Sequence, residues 1–250
     1  MRLALPPTSL RQRTFDNGLI VAIDSNLLAE HTGGDVWMSS FALQRYLSAN
    51  QHLVADKRVL DVGAGTAYLA MSVQLLGATY VAAADRGGAL QLAQKNIIAN
   101  EALLYRKNDG GRVECVALDW DEVVRTGVLP ASLQEEHNRQ GEQAHSGPAF
   151  DLVLVCDCIY EDREQADGLL AVLTRLCESG SIALLCQSFR GSRESEAALF
   201  DGAFRAGLSC VLVSQGSTSP DRDTLRRMDV AFWRLWREPM RPVIRYRPPV

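Results

Sequence analysis

The stretch Val59-Leu-Asp-Val-Gly-Ala-Gly-Thr-Ala-Tyr-Leu69 decides the fold. Its first residues form a short apolar run, as a strand buried on both faces requires. Gly63 and Gly65 break that run, and a helix-spaced segment, Ala67–Leu76, follows. Glycine accepts positive φ and lets a ligand approach the backbone. The helix N-terminus beyond it favours an anionic group.

The same alternation continues outward along the chain. Strand-like runs fall at Arg58–Val62, Tyr80–Ala84, Val113–Ala117, Phe150–Cys156, Ile182–Cys186, Ser209–Ser214 and Val230–Trp236. Helix-spaced segments fall at Ala89–Asn100, Gln165–Cys177 and Glu194–Ala206. Strands alternating with helices imply an α/β fold with a doubly wound, mostly parallel sheet and helices on both faces. Ligands in such sheets bind beyond the carboxyl ends of the strands.

Two regions are expected. Residues 1–56 are an extension packed on the core, with a hairpin (Arg13–Phe15 and Leu19–Asp24) and a helix (Phe41–Ser48). Residues 57–250 are the core, with a polar surface loop at 125–149 and a basic tail at 237–250.

Composition narrows the class. A chain of 250 residues, 47% hydrophobic and 22% charged, suits one α/β domain. It has no apolar run long enough to cross a bilayer, and its first ten residues do not read as a signal peptide. A cytosolic, or also nuclear, monomer is expected, with no membrane partner. The six cysteines and four histidines have no metal-ligand spacing, so no metal is expected and the thiols are read as reduced. A net charge of −4 argues against bulk nucleic-acid binding. From Arg222 to Val250, however, eight arginines face three acidic residues. That stretch is either a contact for an acidic partner or RNA, or a solvated edge strand and tail.

The glycine loop admits three nucleotide readings. A phosphate loop needs a Lys that is absent here. A dinucleotide fingerprint needs a third Gly where Tyr68 stands. S-adenosylmethionine has no pyrophosphate and offers a carboxylate, an ammonium, a ribose and an adenine. Asp61 suits an indirect role near the ammonium or in holding the loop. Asp85 closes the second core strand, 22 residues after Gly63, where a carboxylate can accept from both ribose hydroxyls; the plainer alternative is a helix N-cap. Asp119 of Leu118-Asp-Trp120 can accept from an adenine amino group, and Trp120 offers a flat face. The alternative there is a Trp that anchors a surface loop.

With these elements in order, the chain resembles the seven-β-strand protein methyltransferases called methyltransferase family 16, most of which are protein lysine methyltransferases. The resemblance runs from about Thr32 to about Arg190. It rests on Thr32-Gly-Gly-Asp-Val-Trp37 before a helix ending Tyr46-Leu47, on Val59–Leu69, on Leu118-Asp119-Trp120 and on Asp157-Cys-Ile-Tyr160. It implies a seven-stranded class I methyltransferase that uses S-adenosylmethionine on a protein substrate; elongation factors and chaperones are typical targets of the family. It implies that Trp37, Gly63, Ala64, Gly65, Asp85, Trp120 and Cys156 line the cofactor site, with Asp119 near the adenine. It places Asp157 and Tyr160 at the target side chain as catalytic residues. The plainer reading of that last pair is a helix cap and a packing Tyr. The chain departs from the family with Asp61 for Glu, Ala67 for a third Gly and Cys156 for Ala or Gly.

Three rival readings remain at this point. Asp157-x-x-Tyr160 distantly resembles the Asp-Pro-Pro-Tyr that holds a flipped base amine, but both prolines are missing. A small-molecule methyltransferase and a cofactor-binding module without turnover share the same fold.

Overall fold

The computed structural model describes residues 10–30, 32–108, 110–134, 149–159, 163–188, 193–213 and 230–237. The chain opens with an antiparallel hairpin, β1 (Leu10–Thr14) and β2 (Ile20–Asp24). Then come α1 (Ser25–Glu30), a 3₁₀ turn at Thr32–Gly34 and α2 (Met38–Ala49). The core follows as β3 (Arg58–Val62), α3 (Tyr68–Leu75), β4 (Tyr80–Asp85), α4 (Gly87–Lys107), β5 (Arg112–Ala117), α5 (Trp120–Thr126) and α6 (Ala131–Gln134). It continues as β6 (Leu152–Cys156), α7 (Arg163–Glu178), β7 (Ile182–Ser188), α8 (Arg193–Arg205), β8 (Leu208–Leu212) and β9 (Val230–Arg237).

Seven strands form one sheet in the order β5-β4-β3-β6-β7-β9-β8. All neighbours are parallel except β9, which runs antiparallel to β7 and β8. The chain winds outward from β3 to β5 and then crosses back to β6, so a crevice opens where β3 and β6 end.

Period-two alternation explains the two cores. Leu60 and Val62 of β3 join Val153 and Val155 of β6 on one face, under Leu169, Val172 and Leu173 of α7. Val59 joins Val81, Ala83 and Leu154 on the other, under Leu43 and Leu47 of α2 and Ala70 and Val73 of α3. Both faces are covered, which is why β6 reads as an unbroken apolar run and β3 is apolar but for Arg58 and Asp61.

The N-terminal hairpin docks by an arrangement the apolar pattern does not show. Strand β2 presents the backbone groups of Ile20 and Ala22 to α4. Asn100 accepts from Ile20 N (2.9 Å) and donates to Ile20 O (2.8 Å). Asn96 accepts from Ala22 N (2.7 Å) and donates to Ala22 O (3.1 Å). The i,i+4 spacing on one helix face thus matches the i,i+2 spacing of a strand edge. Asn96 also donates to Thr66 O in the glycine loop at 3.0 Å, so the extension and the loop share one buried amide.

One expectation needs correction. Residues 125–134, expected as part of the polar surface loop, include the end of one helix and a second short helix. Arg125 and Thr126 finish α5, Gly127 closes it in the left-handed region at φ 69°, and Leu133 of α6 is buried in the core. The rest of that polar segment, 135–148, and the tail beyond Arg237 lie outside the described residues. Among the cysteines, Cys158, Cys177 and Cys186 are buried, but Cys210 on β8 is exposed. Among the described residues, no helix is long and apolar enough to cross a membrane.

Replacing Asn96 with Leu strands three backbone groups that its amide now satisfies. The expected loss is about 3 kcal/mol of unfolding free energy, read by chemical denaturation. A loss under about 1 kcal/mol would mean that water takes over these bonds.

Candidate active site

A cavity of about 660 Å³ lies at the carboxyl ends of β3, β4 and β6. Trp37, Asp61, Gly63, Ala64, Gly65, Asp85, Asp119, Trp120, Cys156 and Asp157 all line it. Five segments far apart in sequence therefore meet there. Tyr160 lies outside the described residues.

The glycine loop takes the shape its residues allow. Gly63 has φ 71°, and a Cβ there would stand 2.6 Å from Cys158 Sγ. Gly65 has φ 53° and packs against the Gly33 backbone. Its N–H donates to Asp85 Oδ2 at 2.8 Å, while Asp85 Oδ1 accepts from Arg86 N at 2.7 Å. Both oxygens of Asp85 are thus engaged at the edge of the cavity. The N-cap of α4 is Arg86, without a side-chain cap bond, so Asp85 does not take the helix-cap role.

Asp119 is the cap of the next helix. Its Oδ1 accepts from Asp121 N at 3.0 Å and caps α5, and Arg86 Nη1 reaches the same oxygen at 3.2 Å. Trp120 stands on the first turn of α5, close to the backbone of Gly168, where a Cβ would come within 3.1 Å of it. Trp37 closes the opposite wall, its indole N–H donating to Thr32 O at 2.9 Å. Cys156 Sγ lies 3.5 Å from Ser40 Oγ.

Asp61 is the least satisfied group in the cavity. It is 1% exposed, and its Oδ2 is buried without a hydrogen-bond partner. Burial, and next the negative charge of Asp85, push its carboxyl up to about 8, against a smaller opposing bond from the Ala70 backbone. A buried carboxylate oxygen lacking a donor fits a cationic ligand group, which would restore the charged form. The ammonium of S-adenosylmethionine is such a group.

Asp157 follows β6 in the left-handed region at φ 58° and is 5% exposed. Residues 160–162, between it and α7, lie outside the described residues. Asp157 Oδ1 accepts from Ser188 Oγ at 2.5 Å, Ser188 N at 3.1 Å and Gln187 Nε2 at 3.2 Å. Gln187 and Ser188 carry no motif signal, because their role depends on the β6–β7 pairing.

Around the cavity, seven acidic side chains among the described residues face one cation, Arg86. Such a cavity suits cationic groups and repels phosphates. The seven-stranded order with one antiparallel strand, and the ligand cavity at its switch point, define a Rossmann-like class I methyltransferase fold. Residues 17–203 match the family described as Lysine methyltransferase, and the chain belongs to that family.

Relatives agree with this placement. The protein-lysine N-methyltransferase EFM3 of Chaetomium thermophilum is 29% identical over 180 residues, 71% of this chain and 48% of its own. The protein-lysine methyltransferase METTL21E of Bos taurus is 28% identical over 166 residues, 66% of this chain and 50% of its own. The chain spans about half the length of the curated relatives it matches. In fold, it superposes on the T. thermophilus 16S rRNA N2 G1207 methyltransferase RsmC with a TM-score of 0.57. That match covers 94% of this chain and 52% of the other, at 13% identity.

The raised Asp61 group makes stability depend on pH. In the unfolded chain it ionises near 3.8, and in the fold near 8. Its contribution is therefore fully present below about pH 4 and is lost as pH rises through about 8. Between about pH 5 and pH 7.5, the protein without cofactor is expected to lose on the order of 3 kcal/mol relative to Asp61→Asn. Guanidinium unfolding of both proteins at the two pH values reads this. Parallel pH slopes would show that Asp61 ionises in the fold as it does in the open chain.

Proposed function

We propose that this chain transfers a methyl group from S-adenosylmethionine to a lysine side chain of a protein. The observation that carries this reading is the acid-lined cavity, with orphaned Asp61 on β3 and clamped Asp157 on β6. It is suited to two cations, the cofactor and an amine.

When bound, S-adenosylmethionine supplies an electrophilic methyl group. Asp61 offers its unpartnered oxygen to the cofactor ammonium. Asp85, at the end of β4, accepts from the ribose hydroxyls, with Trp37 and Trp120 on the cavity walls as apolar faces. Asp157 receives the target amine. A lysine side chain in water titrates near about 10.4, so it is protonated at pH 7, and removing that proton costs about 4–5 kcal/mol. Desolvation in the cavity lowers that cost, whereas a nearby anion raises it. Asp157 therefore serves orientation and charge balance better than proton abstraction. Tyr160, three residues on, is proposed to face the same amine through its ring.

The substrate class follows from charge. A nucleic-acid target would bring phosphates against the seven acids of the cavity. A lysine brings a cation on a flexible stem. Two protein-lysine methyltransferases among the relatives support the same class.

The test is transfer of tritium from methyl-labelled S-adenosylmethionine into a lysate of cells lacking the gene. Label is counted separately in protein, nucleic acid and small molecules. A discrete labelled protein is expected, lost with Asp85→Ala, whose cofactor affinity should fall at least about tenfold. Label in nucleic acid or metabolites would keep the fold and overturn the substrate class. Cofactor binding without transfer would make the chain a binding module.

A further inference from the structure

Strand β7 runs two residues past its last partner on β6. The parallel ladder ends at Cys156 opposite Cys186, while β7 continues through Gln187 and Ser188. Antiparallel pairing with Ala231 and Val230 of β9 holds those two residues in strand geometry. Across from them the chain leaves the sheet, because Asp157 turns into the left-handed region. Asp157 N still donates to Cys186 O at 2.8 Å, but the residues after it have no strand to pair with.

Side chains replace the missing ladder. Gln187 is 3% exposed, and its Oε1 accepts from Ile159 N at 3.2 Å while its Nε2 donates to Ile159 O at 2.7 Å. Both backbone groups of Ile159 are thus held by one amide, as a neighbouring strand would hold them. The same Nε2 reaches Asp157 Oδ1 at 3.2 Å. Ser188 adds its backbone N–H and its hydroxyl to that oxygen. Three neutral donors converge on a single carboxylate oxygen, and all belong to residues 187 and 188.

A left-handed Asp costs about 1–2 kcal/mol relative to an ordinary backbone, so the turn needs such contacts to persist. The convergence does more than hold the turn. An aspartate pinned at one oxygen by three donors has a single orientation, and its carboxylate plane is fixed relative to the cavity it lines.

We infer that Gln187 and Ser188 are positioning residues for methyl transfer. They fix the Asp157 carboxylate, and the backbone through Ile159, in the orientation that receives the target amine. This rests on the reading of Asp157 as the amine-facing group. Gln187 and Ser188 act through Asp157 and are not placed in contact with cofactor or substrate. Removing them should leave the cofactor side of the cavity, built on β3, β4 and α5, as it is.

Ser188→Ala and Gln187→Met test this in the full chain, with tritium transfer from methyl-labelled S-adenosylmethionine into the gene-deleted lysate as the assay. Cofactor affinity is measured by calorimetry with S-adenosylmethionine, and folding by the thermal midpoint. A small misplacement of a reacting group costs up to about a hundredfold, so turnover should fall about tenfold to a hundredfold at saturating cofactor. Cofactor affinity should stay within about twofold. Gln187→Met keeps the test open should Ser188→Ala not fold. Unchanged turnover in the folded variants overturns the inference, as does a loss of cofactor affinity in proportion to turnover. Asp157→Asn separates the two claims. If it is inactive while the variants at 187 and 188 match the wild type, only the positioning role fails. If Asp157→Asn turns over like the wild type, the reading of Asp157 fails and the positioning role fails with it.

Discussion

The hydrogen bond from Gly65 N–H to Asp85 Oδ2 joins the ends of two adjacent parallel strands, and the site is built outward from it. Parallel strands bring all their carboxyl ends to one edge, where backbone groups lose their ladder partners. The carbonyl of Ala84 takes two N–H groups of the loop, Gly63 and Ala64, and Asp85 takes the third. Asn96 then takes Thr66 O from the helix side. Gly33 packs on Gly65 from the N-terminal segment. A loop held from β4, α4 and residues 32–34 has little freedom left, so the cavity beside it is largely formed before any ligand arrives.

That preformed shape leaves an electrostatic strain. Asp61 is buried and faces the charge of Asp85, with one oxygen unmatched. Nothing in folding favours a buried carboxylate in that state; an Asn or a small apolar residue would satisfy the interior better. The fold gives up stability at neutral pH to keep a carboxyl at that place. The exposed bridges of Arg86 to Asp119 and Asp121 contribute little by comparison, because water screens them.

The strands and main helices are legible from the sequence because the features that encode them are local. Leu152–Val155 is an unbroken apolar run because both faces of the sheet are covered, and α7 repeats its apolar positions because one stripe meets β6 and β7. Residues that work between distant segments left no such trace. Asn96 and Asn100 read as ordinary polar positions on α4 and become strand mimics only when β2 lies beside them. Residues 120–134 form helices too short and too polar to carry a period, and Leu133 reaches the core as a single apolar residue. A side-chain cap stands at Asp119, before α5, whereas Asp85, before α4, is engaged by the glycine loop. The cavity-lining residues were legible because the loop, the Leu-Asp-Trp segment and the Asp157 turn each follow a strand, and parallel topology sends every strand end to one place.

The two departures at Ala67 and Cys156 have different physical meanings. Ala67 sits at φ 59°, so the position asks for a left-handed backbone, which glycine adopts without penalty. Alanine pays about 1–2 kcal/mol there, but its methyl is fully buried against the α3 side of the sheet, where glycine would leave a gap. The two effects oppose each other, and the loop keeps its shape. Cys156 changes the surface of the cavity rather than its backbone. Its sulfur borders the cavity, beside Ser40 and in register with Cys186 on β7, where Ala or Gly would leave more room. Ala67 is thus a question of folding cost alone, whereas Cys156 puts a polarizable atom against whatever the cavity holds.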